Sequence, residues 1–320
     1  MPMTNLREGA AMRPTGFVLI TSIVVLLVAA AAAACGGSDD KPKLVIAVQP
    51  SATQSELTDQ AQELEAFLEA RVAADIELRF PTTYAGVIEA LRFGHADAAF
   101  MSAWPSSLAN KHAGAEIVLA EIREVTIGDA KTEAPAYFSY WVVPKDSPYQ
   151  SLAELRGKKA AFPSLLSTSG YVAPLARLKE LGLLTGEGAD PNDFFDEVLI
   201  AGGYSQAWEA LKAGQVDVSI IAGDVPDELY REVLANTRVL EQQGPIPSHA
   251  VVFSKDLKDP LRSDLKNALL DLGGDEHRDL MRKFVSGIFV RFEETTTEKH
   301  LASLNDFLEK TGLAFTEKIQ

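Results

Sequence analysis

The chain has 320 residues, of which 47% are hydrophobic and 23% are charged, and its formal net charge is −15 at pH 7. This acidic balance argues against nucleic acid as a partner, because such binding needs clustered Lys and Arg with interleaved aromatic residues, and the sequence has no such cluster. The histidines are scattered and no glycine-rich phosphate loop occurs, so we expect neither a metal site nor a cofactor.

The first 35 residues have the pattern of an export signal. Arg7 and Arg13 precede an apolar run over residues 17–34, and the single cysteine, Cys35, follows three alanines. Basic, apolar and small-residue regions in this order are typical of a signal peptide. The run is also long enough to cross a bilayer, so an uncleaved anchor is the alternative. The segment resembles a bacterial lipoprotein signal, although Ala32 stands where leucine is more usual.

If residues 1–35 are such a signal, Cys35 becomes a diacylated N-terminus and residues 36–43 become a flexible tether. The second acyl chain matters, because one chain alone holds a protein on a membrane only marginally. With Cys35 used, the mature chain forms no internal disulfide and depends on its hydrophobic core. With either kind of N-terminus, the folded part lies outside the cytoplasm.

From residue 44 onward, strand and helix patterns alternate. The predicted elements, in chain order, are strand 44–48, helix 57–67, strand 76–80, helix 84–93, strands 98–101, 117–119 and 137–144, strand 159–162, helix 171–181, strand 195–199, helix 206–212 and strand 216–221. This order predicts the α/β class, with mainly parallel sheets flanked by helices.

An internal repeat predicts two similarly built lobes. Residues 84–97 and 204–217 share Tyr, Glu, Ala, Leu, Gly and Asp at matching positions, and each copy continues into a small apolar strand. A chance likeness of two helix–turn–strand units is the alternative. A soluble region of this length usually divides into two lobes or domains.

If the lobes are equivalent, their ligand-facing positions are equivalent too. Ligands of open α/β sheets bind beyond the carboxyl ends of the strands, where helix N-termini point. Tyr84 and Tyr204 then face one cleft from opposite sides, and Trp104 and Asp224 follow the equivalent third strands. For each tyrosine, the alternative is an ordinary residue at the start of an amphipathic helix.

Residues 164–171 place hydroxyl side chains between a predicted strand and a predicted helix. The N–H groups of a first helical turn lack partners and the helix dipole favours negative charge, so this segment has the outline of an oxyanion site. Ser51 and Thr53 hold the same place in the first lobe. The alternative is a helix N-cap with a polar loop, because Ser and Thr are preferred caps.

Two long strands set the predicted lobe boundaries. Residues 137–144 cross from the first lobe to the second, and residues 248–254 cross back. The first lobe then comprises residues 44–144 and 246–320, and the second comprises residues 145–245. The helices expected to return to the first lobe are 261–272, 280–285 and a closing helix at 301–308. Two crossings form a hinge, so the lobes can close around a ligand.

The residues that point to a known family are Phe-Pro-Ser at 162–164, Ser-Thr-Ser-Gly-Tyr at 167–171 and Pro174, supported by Tyr84 ahead of residues 87–91. Over residues 44–272 the chain resembles the substrate-binding components of ABC importers for phosphonate, phosphite or phosphate. The resemblance implies a two-lobed, type II-like periplasmic-binding-protein fold, and import rather than catalysis.

The resemblance also implies which residues contact the ligand. In that family the run matching Ser167, Thr168 and Ser169 holds the oxyanion together with helix-start amides, and tyrosines matching Tyr84 and Tyr137 line the cleft. Tyr204 stands where the family usually has histidine, which keeps a hydrogen-bond donor but loses a possible positive charge.

Two further residues are candidates for specificity. Trp104 lies in Ser-Ala-Trp-Pro, where relatives commonly have Gly-Pro, so its indole either lines the cleft or packs in the core. Asp224 either pairs with an amino group of the ligand, as acidic residues do in relatives that take aminoalkyl phosphonates, or caps a helix over residues 226–234.

We therefore expect a lipid-anchored, monomeric solute-binding protein, in the periplasm or on the outer face of the cell membrane, that delivers a small phosphorus oxyanion to an ABC permease. The alternatives are a sensor subunit for a membrane kinase and a binding protein for another anion, such as a sulfonate. A hydrolase would need a histidine beside Ser167 or Ser169, and nothing in the sequence marks the one candidate, His249, as a base. We expect no enzymatic activity.

Overall fold

The computed structural model describes residues 41–50, 54–127, 130–185, 188, 190–225, 227–284 and 287–312. The predicted signal with Cys35 and the predicted ligand residue Ser51 lie outside these ranges. By its internal contacts, the chain from Pro42 onward is one unit, so the sheets described below are lobes of one body.

The strands are β1 (Lys43–Val48), β2 (Asp75–Arg79), β3 (Ala98–Met101), β4 (Glu116–Ile127), β5 (Ala130–Ala134), β6 (Ala136–Pro144), β7 (Lys159–Phe162), β8 (Glu197–Ile200), β9 (Val218–Ala222), β10 (Thr237–Pro247), β11 (Ala250–Phe253) and β12 (Phe289–Glu294). The α-helices are α1 (Gln54–Glu69), α2 (Tyr84–Arg92), α3 (Ala103–Ala113), α4 (Ala173–Glu180), α5 (Tyr204–Lys212), α6 (Asp227–Asn236), α7 (Leu261–Asp271), α8 (Arg278–Phe284) and α9 (Thr297–Thr311). Short 3-10 turns span Leu152–Leu155 and Pro191–Asp193, and a π-helical turn spans Thr168–Val172.

The strands form two sheets, which confirms the predicted two-lobed α/β fold. The first sheet has the order β12-β4-β11-β3-β1-β2 with β5 paired to β4, and the second has the order β10-β6-β9-β7-β8. Pairing is parallel where β1 meets β2 and β3, and where β7 meets β8 and β9. The remaining pairs are antiparallel, so each sheet has a parallel β-α-β part extended by antiparallel strands.

The predicted internal repeat occupies the same place in both sheets, and its shared residues have matching contacts. The carboxylate of Asp97 accepts a hydrogen bond from the N–H of Val45 at 2.8 Å, and that of Asp217 accepts one from the N–H of Lys159 at 2.9 Å. Each aspartate thus ties its turn to the first strand of its sheet. The shared glycines, at positions 94 and 214, both have positive φ, at 71° and 69°, after a helix end, which is a conformation that glycine adopts without strain.

Both faces of the first sheet are covered by helices. Leu44, Ile46 and Val48 of β1 lie in a buried cluster with α1, α7 and α8, whereas Val45 and Ala47 lie in another with α2, α3 and α9. Because successive side chains of a strand point to opposite faces, a strand buried on both faces is hydrophobic throughout. In the second sheet, α4 covers one face of β7, and α5 and α6 cover the other.

The chain passes between the sheets at Pro135, between β5 and β6, and again at Ser248 and His249, between β10 and β11. The two crossings touch, because the N–H of Ser248 donates to the carbonyl of Pro135 at 3.0 Å. The predicted crossing strand at residues 137–144 is β6, which pairs within the second sheet, so the first crossing precedes it. The predicted lobe bounds at residues 144 and 245 stay predictions.

Four elements were not predicted, namely α3, β5, β10 and β12, and for three of them the physical reason is clear. Helix α3 is buried on several sides, so it lacks the polar stripe that marks an amphipathic helix. Strand β10 lies at the edge of the second sheet and carries polar residues. Strand β12, also at an edge, pairs with β4, which runs well beyond the predicted strand at residues 117–119. Within the described ranges, no helix combines the length and apolarity that a membrane crossing requires.

Candidate anion-binding site

The predicted hydroxyl run starts directly after β7 and is buried, with Ser167, Thr168 and Ser169 each exposing 4% or less of their surface. Ser167 is the N-cap of the π-helical turn, and its Oγ accepts a hydrogen bond from the N–H of Gly170 at 2.9 Å. The capping interpretation of this serine is therefore correct, and it does not exclude a ligand role. Single π-helical turns are often found at functional sites.

The motif around this run is held by close packing between Gly170 and Pro163. A Cβ atom built on Gly170 would lie 2.1 Å from the Cγ atom of Pro163, far closer than two carbon atoms can approach. A glycine is thus required for the turn to pack against the proline. Pro174 follows in the first turn of α4, where its missing N–H costs nothing. The close packing and the helix start explain why glycine and proline occupy these positions of the motif.

Three tyrosine hydroxyls converge on the serines of the run. Tyr204 Oη lies 2.7 Å from Ser169 Oγ and 3.5 Å from Ser167 Oγ. Tyr137 Oη donates to Ser169 Oγ at 2.9 Å. Tyr84, at the start of α2 beside the first sheet, has its hydroxyl close enough to Ser167 of the second lobe for that serine to lower its pKa. The structure thus brings together five of the residues predicted from the sequence, from both lobes.

The three tyrosines are neutral hydrogen-bond donors. Burial, assisted by the negative charge of Asp224, raises the pKa of Tyr84 to about 12 and that of Tyr204 further above its usual range. The pKa of Tyr137 is also raised well above its usual range, by burial and then by Asp224. Uncharged hydroxyls are available at every physiological pH to donate to an oxyanion.

Trp104 joins the two lobes through its backbone rather than through its indole. Its N–H, in the first turn of α3, donates to Thr168 Oγ1 at 2.8 Å. Ser102, the N-cap residue of α3, makes no capping bond, because its N–H and hydroxyl both donate to Gln49 Oε1, at 2.9 and 3.1 Å. The indole packs in the buried cluster of α2, α3 and α9, as the core-packing alternative predicts. A ligand contact of the indole stays a prediction.

Asp224 follows β9 and is paired with a buried arginine. Arg123 Nη1 donates to Asp224 Oδ2 at 2.8 Å, and its Nη2 donates to Glu121 Oε2 at 2.7 Å. The side chains of Arg123 and Glu121 are fully buried and that of Asp224 is 7% exposed. The guanidinium lies 4.7 Å from the centre of the Tyr137 ring. The positive charge of Arg123 is therefore balanced by carboxylates, next to the ring of Tyr137.

His249 contacts Asp224 and is itself uncharged. Its Nε2 lies 3.5 Å from Asp224 Oδ2, yet burial first, and then the charge of Arg123, holds its pKa well below the usual range. The described contacts of Ser167 and Ser169 are to Gly170 and the tyrosines, whereas His249 contacts the aspartate. The arrangement gives no support to a serine nucleophile with His249 as its base.

Four residues of this region were not predicted from the sequence: Gln49, Ser102, Glu121 and Arg123. Gln49 directly follows β1. Because ligands of open α/β sheets bind beyond the carboxyl ends of the strands, this position could have been predicted instead of Ser51. Glu121 and Arg123 stand two residues apart in β4, and charged residues are rarely buried unless they are paired. Within the described part of the chain, no group of His, Cys, Asp and Glu is arranged to hold a metal ion.

Over residues 46–300, the chain matches the family of the periplasmic substrate-binding protein of phosphonate ABC transporters. The chain belongs to this family. It is 28% identical over 187 residues to the phosphate-import protein PhnD of Mycolicibacterium smegmatis. That match covers 58% of this chain and 56% of the relative, so the chain spans little more than half of the relative's length.

Solved structures of the phosphonate-binding family share the fold. A binding protein component of an ABC phosphonate transporter from Pseudomonas aeruginosa has a TM-score of 0.72 at 19% identity, covering 85% of this chain and 87% of its own. PhnD1 from Prochlorococcus marinus, in complex with methylphosphonate, has a TM-score of 0.68 at 16% identity, covering 85% and 98%. Family membership confirms the predicted resemblance and the class of substrate-binding transport protein.

Proposed function

We propose that the chain is the solute-binding protein of an ABC importer and that it captures a phosphonate, phosphite or phosphate ion between its two lobes. The observation that carries this proposal is the convergence of neutral hydroxyl donors from both lobes on Ser167 and Ser169. Each of these hydroxyl groups can donate a hydrogen bond to an oxygen of a tetrahedral oxyanion. The names of two relatives support the ligand class, since one is a phosphate-import protein and the other was solved with methylphosphonate.

Binding proceeds by closure of the lobes. Ser167, Thr168, Ser169 and the first-turn amides hold the oxygens from the second lobe, and Tyr84 donates from the first. Tyr137 and Tyr204 complete the shell, and ligand contacts of Trp104 and Ser51 stay predictions from the sequence. Because this shell contains no free cation, the attraction for an anion comes from oriented dipoles, which suits a protein that must also release its ligand to the permease. A binding protein of this kind performs no chemistry on its ligand.

The protein is anchored outside the cytoplasm by a diacylated Cys35 and acts as a monomer. The export pattern of residues 1–35 and the position of the single cysteine support this part of the proposal. Residues 36–43 then give the folded body room to meet the permease. Radiolabelled palmitate should enter the wild-type protein in its host, and it should not enter a Cys35→Ser variant. Equal labelling would contradict lipidation at Cys35.

A thermal-shift screen of the full-length protein in detergent tests the ligand class. The probes are phosphate, phosphite, methylphosphonate, 2-aminoethylphosphonate, sulfate and methanesulfonate. A ligand at about a hundred times its dissociation constant stabilises the fold by about 2.7 kcal/mol, which is readily seen as a higher Tm. We expect a shift with at least one phosphorus oxyanion. No shift with any of them would contradict the proposed ligand class.

A pair of variants tests the site. Ser169→Ala removes the hydroxyl that meets both Tyr137 and Tyr204. Its matched control is Ser164→Ala, in the same loop, whose hydroxyl accepts from the N–H of Leu166. We expect the first variant to lose the ligand-induced Tm shift and the second to keep it. Equal behaviour of the two variants would place the ligand elsewhere.

A further inference from the structure

We propose that Gln49 is a positioning residue that fixes the direction of the Tyr84 hydroxyl, so that this tyrosine donates its proton into the cleft. This inference rests on the proposed function, because it explains how the first lobe presents a hydrogen-bond donor to the oxyanion. Gln49 acts through Tyr84 and requires no ligand contact of its own.

Gln49 lies at the edge of the first sheet where two helices begin. It directly follows β1, its side chain is buried, and its N–H donates to the carbonyl of Phe100 on β3 at 3.1 Å. Residues of β1 share a buried cluster with α2, which begins at Tyr84, and with α3, which follows Ser102. Gln49 is thus placed between the two helix starts.

Ser102 determines which way the Gln49 amide is turned. The backbone N–H of Ser102 donates to Gln49 Oε1 at 2.9 Å, and the Ser102 hydroxyl donates to the same oxygen at 3.1 Å. A backbone N–H can only donate, so its partner must be the amide oxygen rather than the nitrogen. The two bonds use both lone pairs of Oε1. The other end of the amide, Nε2, therefore presents only donors to its surroundings.

The Tyr84 hydroxyl lies next to this amide. Gln49 of the first lobe and Ser167 of the second are both close enough to the hydroxyl to lower its pKa, against the larger effect of burial. A phenol hydroxyl has one proton and can also accept a hydrogen bond. Because Nε2 has only protons to offer, the tyrosine oxygen accepts from Gln49, and its own proton points towards Ser167 and the cleft.

A donor of fixed direction differs from the other hydroxyl pairs of the site. Tyr204 and Ser169 bond hydroxyl to hydroxyl at 2.7 Å, and either of them can be the donor. The direction of Tyr84 is instead set from behind, by an amide that is itself held by Ser102. A donor that is already oriented loses nothing in turning towards its ligand. The first lobe therefore selects ligands with an acceptor oxygen at this place.

Gln49→Glu tests this direction with almost no change of shape. The new carboxylate still accepts from Ser102 but has no proton to donate, so Tyr84 should turn its proton towards the carboxylate and away from the cleft. We expect the full-length variant in detergent to bind phosphate and methylphosphonate at least about tenfold more weakly than wild type does, in calorimetry at about pH 8.

Gln215→Glu is the matched control for the added charge. Gln215 is exposed and precedes β9, at the opposite end of that strand from the cleft. This variant carries the same new charge as Gln49→Glu and should bind both anions as wild type does.

The loss in Gln49→Glu should also depend on pH. A protonated carboxyl group regains one donor, and burial raises the pKa of such a group, so the ratio of the variant's dissociation constant to that of wild type should fall from about pH 8 to about pH 5. The titratable and charged groups around Tyr84 are Asp224 after β9, its partner Arg123 of β4, and Tyr204 of α5. They are the same in both proteins, so the ratio isolates the introduced carboxyl group. A ratio that does not change with pH would contradict the proposed direction.

A double-mutant cycle with Tyr84→Phe separates this role from charge repulsion. If Gln49 acts through Tyr84, Gln49→Glu should have little further effect once the tyrosine hydroxyl is gone. Gln49→Met adds no charge and should likewise weaken binding only while Tyr84 is present, which keeps the test decisive if the glutamate variant does not fold. Equal losses with and without the hydroxyl would overturn the inference.

The outcomes distinguish this inference from the proposed function. If wild type binds phosphate or methylphosphonate and Gln49→Glu binds them equally well, the inference alone is overturned. If wild type binds none of phosphate, phosphite and methylphosphonate, the proposed function itself is refuted.

Discussion

Thr168 joins the proposed ligand site to the contact between the lobes, and Thr168→Val tests that link. Its Oγ1 accepts the N–H of Trp104 from the first lobe at 2.8 Å, and its side chain is 1% exposed. Valine has nearly the same shape but no acceptor, so the substitution leaves a buried backbone N–H at the start of α3 without this partner. An unpaired buried donor costs about 1–3 kcal/mol.

The bond exists only while the lobes are in contact, so its loss should appear mainly in ligand affinity. We expect Thr168→Val to weaken phosphorus-oxyanion binding by about 5- to 150-fold in calorimetry, which is the same free energy expressed as a ratio. Thr168→Ser retains the hydroxyl and should stay close to wild type. Unchanged affinity in Thr168→Val would refute the role of this hydroxyl, both as ligand donor and as the link between the lobes.

Three further predictions concern Arg123, His300 and Tyr204. Arg123→Met leaves Glu121 and Asp224 buried without their cation, so it should lower the free energy of unfolding by about 3–5 kcal/mol in denaturant titrations, and more than Arg123→Lys does. His300, whose pKa is lowered from 6.5 to about 4 by burial and by Arg123, stays neutral in the fold while the unfolded chain takes up a proton. The contribution of His300 to stability should therefore be fully present above pH 6.5 and fall by up to about 1.4 kcal/mol per pH unit towards pH 4, and His300→Gln should remove this part of the slope. Tyr204→His should change the ranking of ligands in the thermal-shift screen more than it changes the Tm of the free protein, and an unchanged ranking would contradict a role in specificity.

The internal repeat made most of the fold predictable. Its aspartates and glycines each make a contact that both lobes need, such as the hydrogen bonds of Asp97 and Asp217 to the first strand of each sheet. Residues constrained in this way keep their spacing in the sequence, so the parallel β-α-β part of each lobe could be predicted. Strands β10 and β12 of the antiparallel extensions could not, because they are edge strands whose pairing depends on distant segments.

The hydroxyls of the site were predictable and its charges were not. Ser167 to Ser169 are contiguous in a short motif, so the sequence displays them together. The pair of Arg123 and Asp224 joins positions 101 residues apart, on β4 of one sheet and after β9 of the other. No local pattern indicates such a pair. Asp224 was therefore interpreted from its place in the repeat alone, and its buried cation was missed.

The contacts of Arg123 determine how the proposed site attracts an anion. A guanidinium free to meet the ligand would hold an oxyanion by charge, and release to a permease would be slow. Here Arg123 is engaged by two carboxylates, so it orients Asp224 and supports Tyr137 without offering its charge to the cleft. On the proposed function the ligand then meets neutral donors, which makes affinity depend on hydrogen-bond geometry. Ready release of the proposed ligand thus follows from the way in which the two carboxylates hold Arg123.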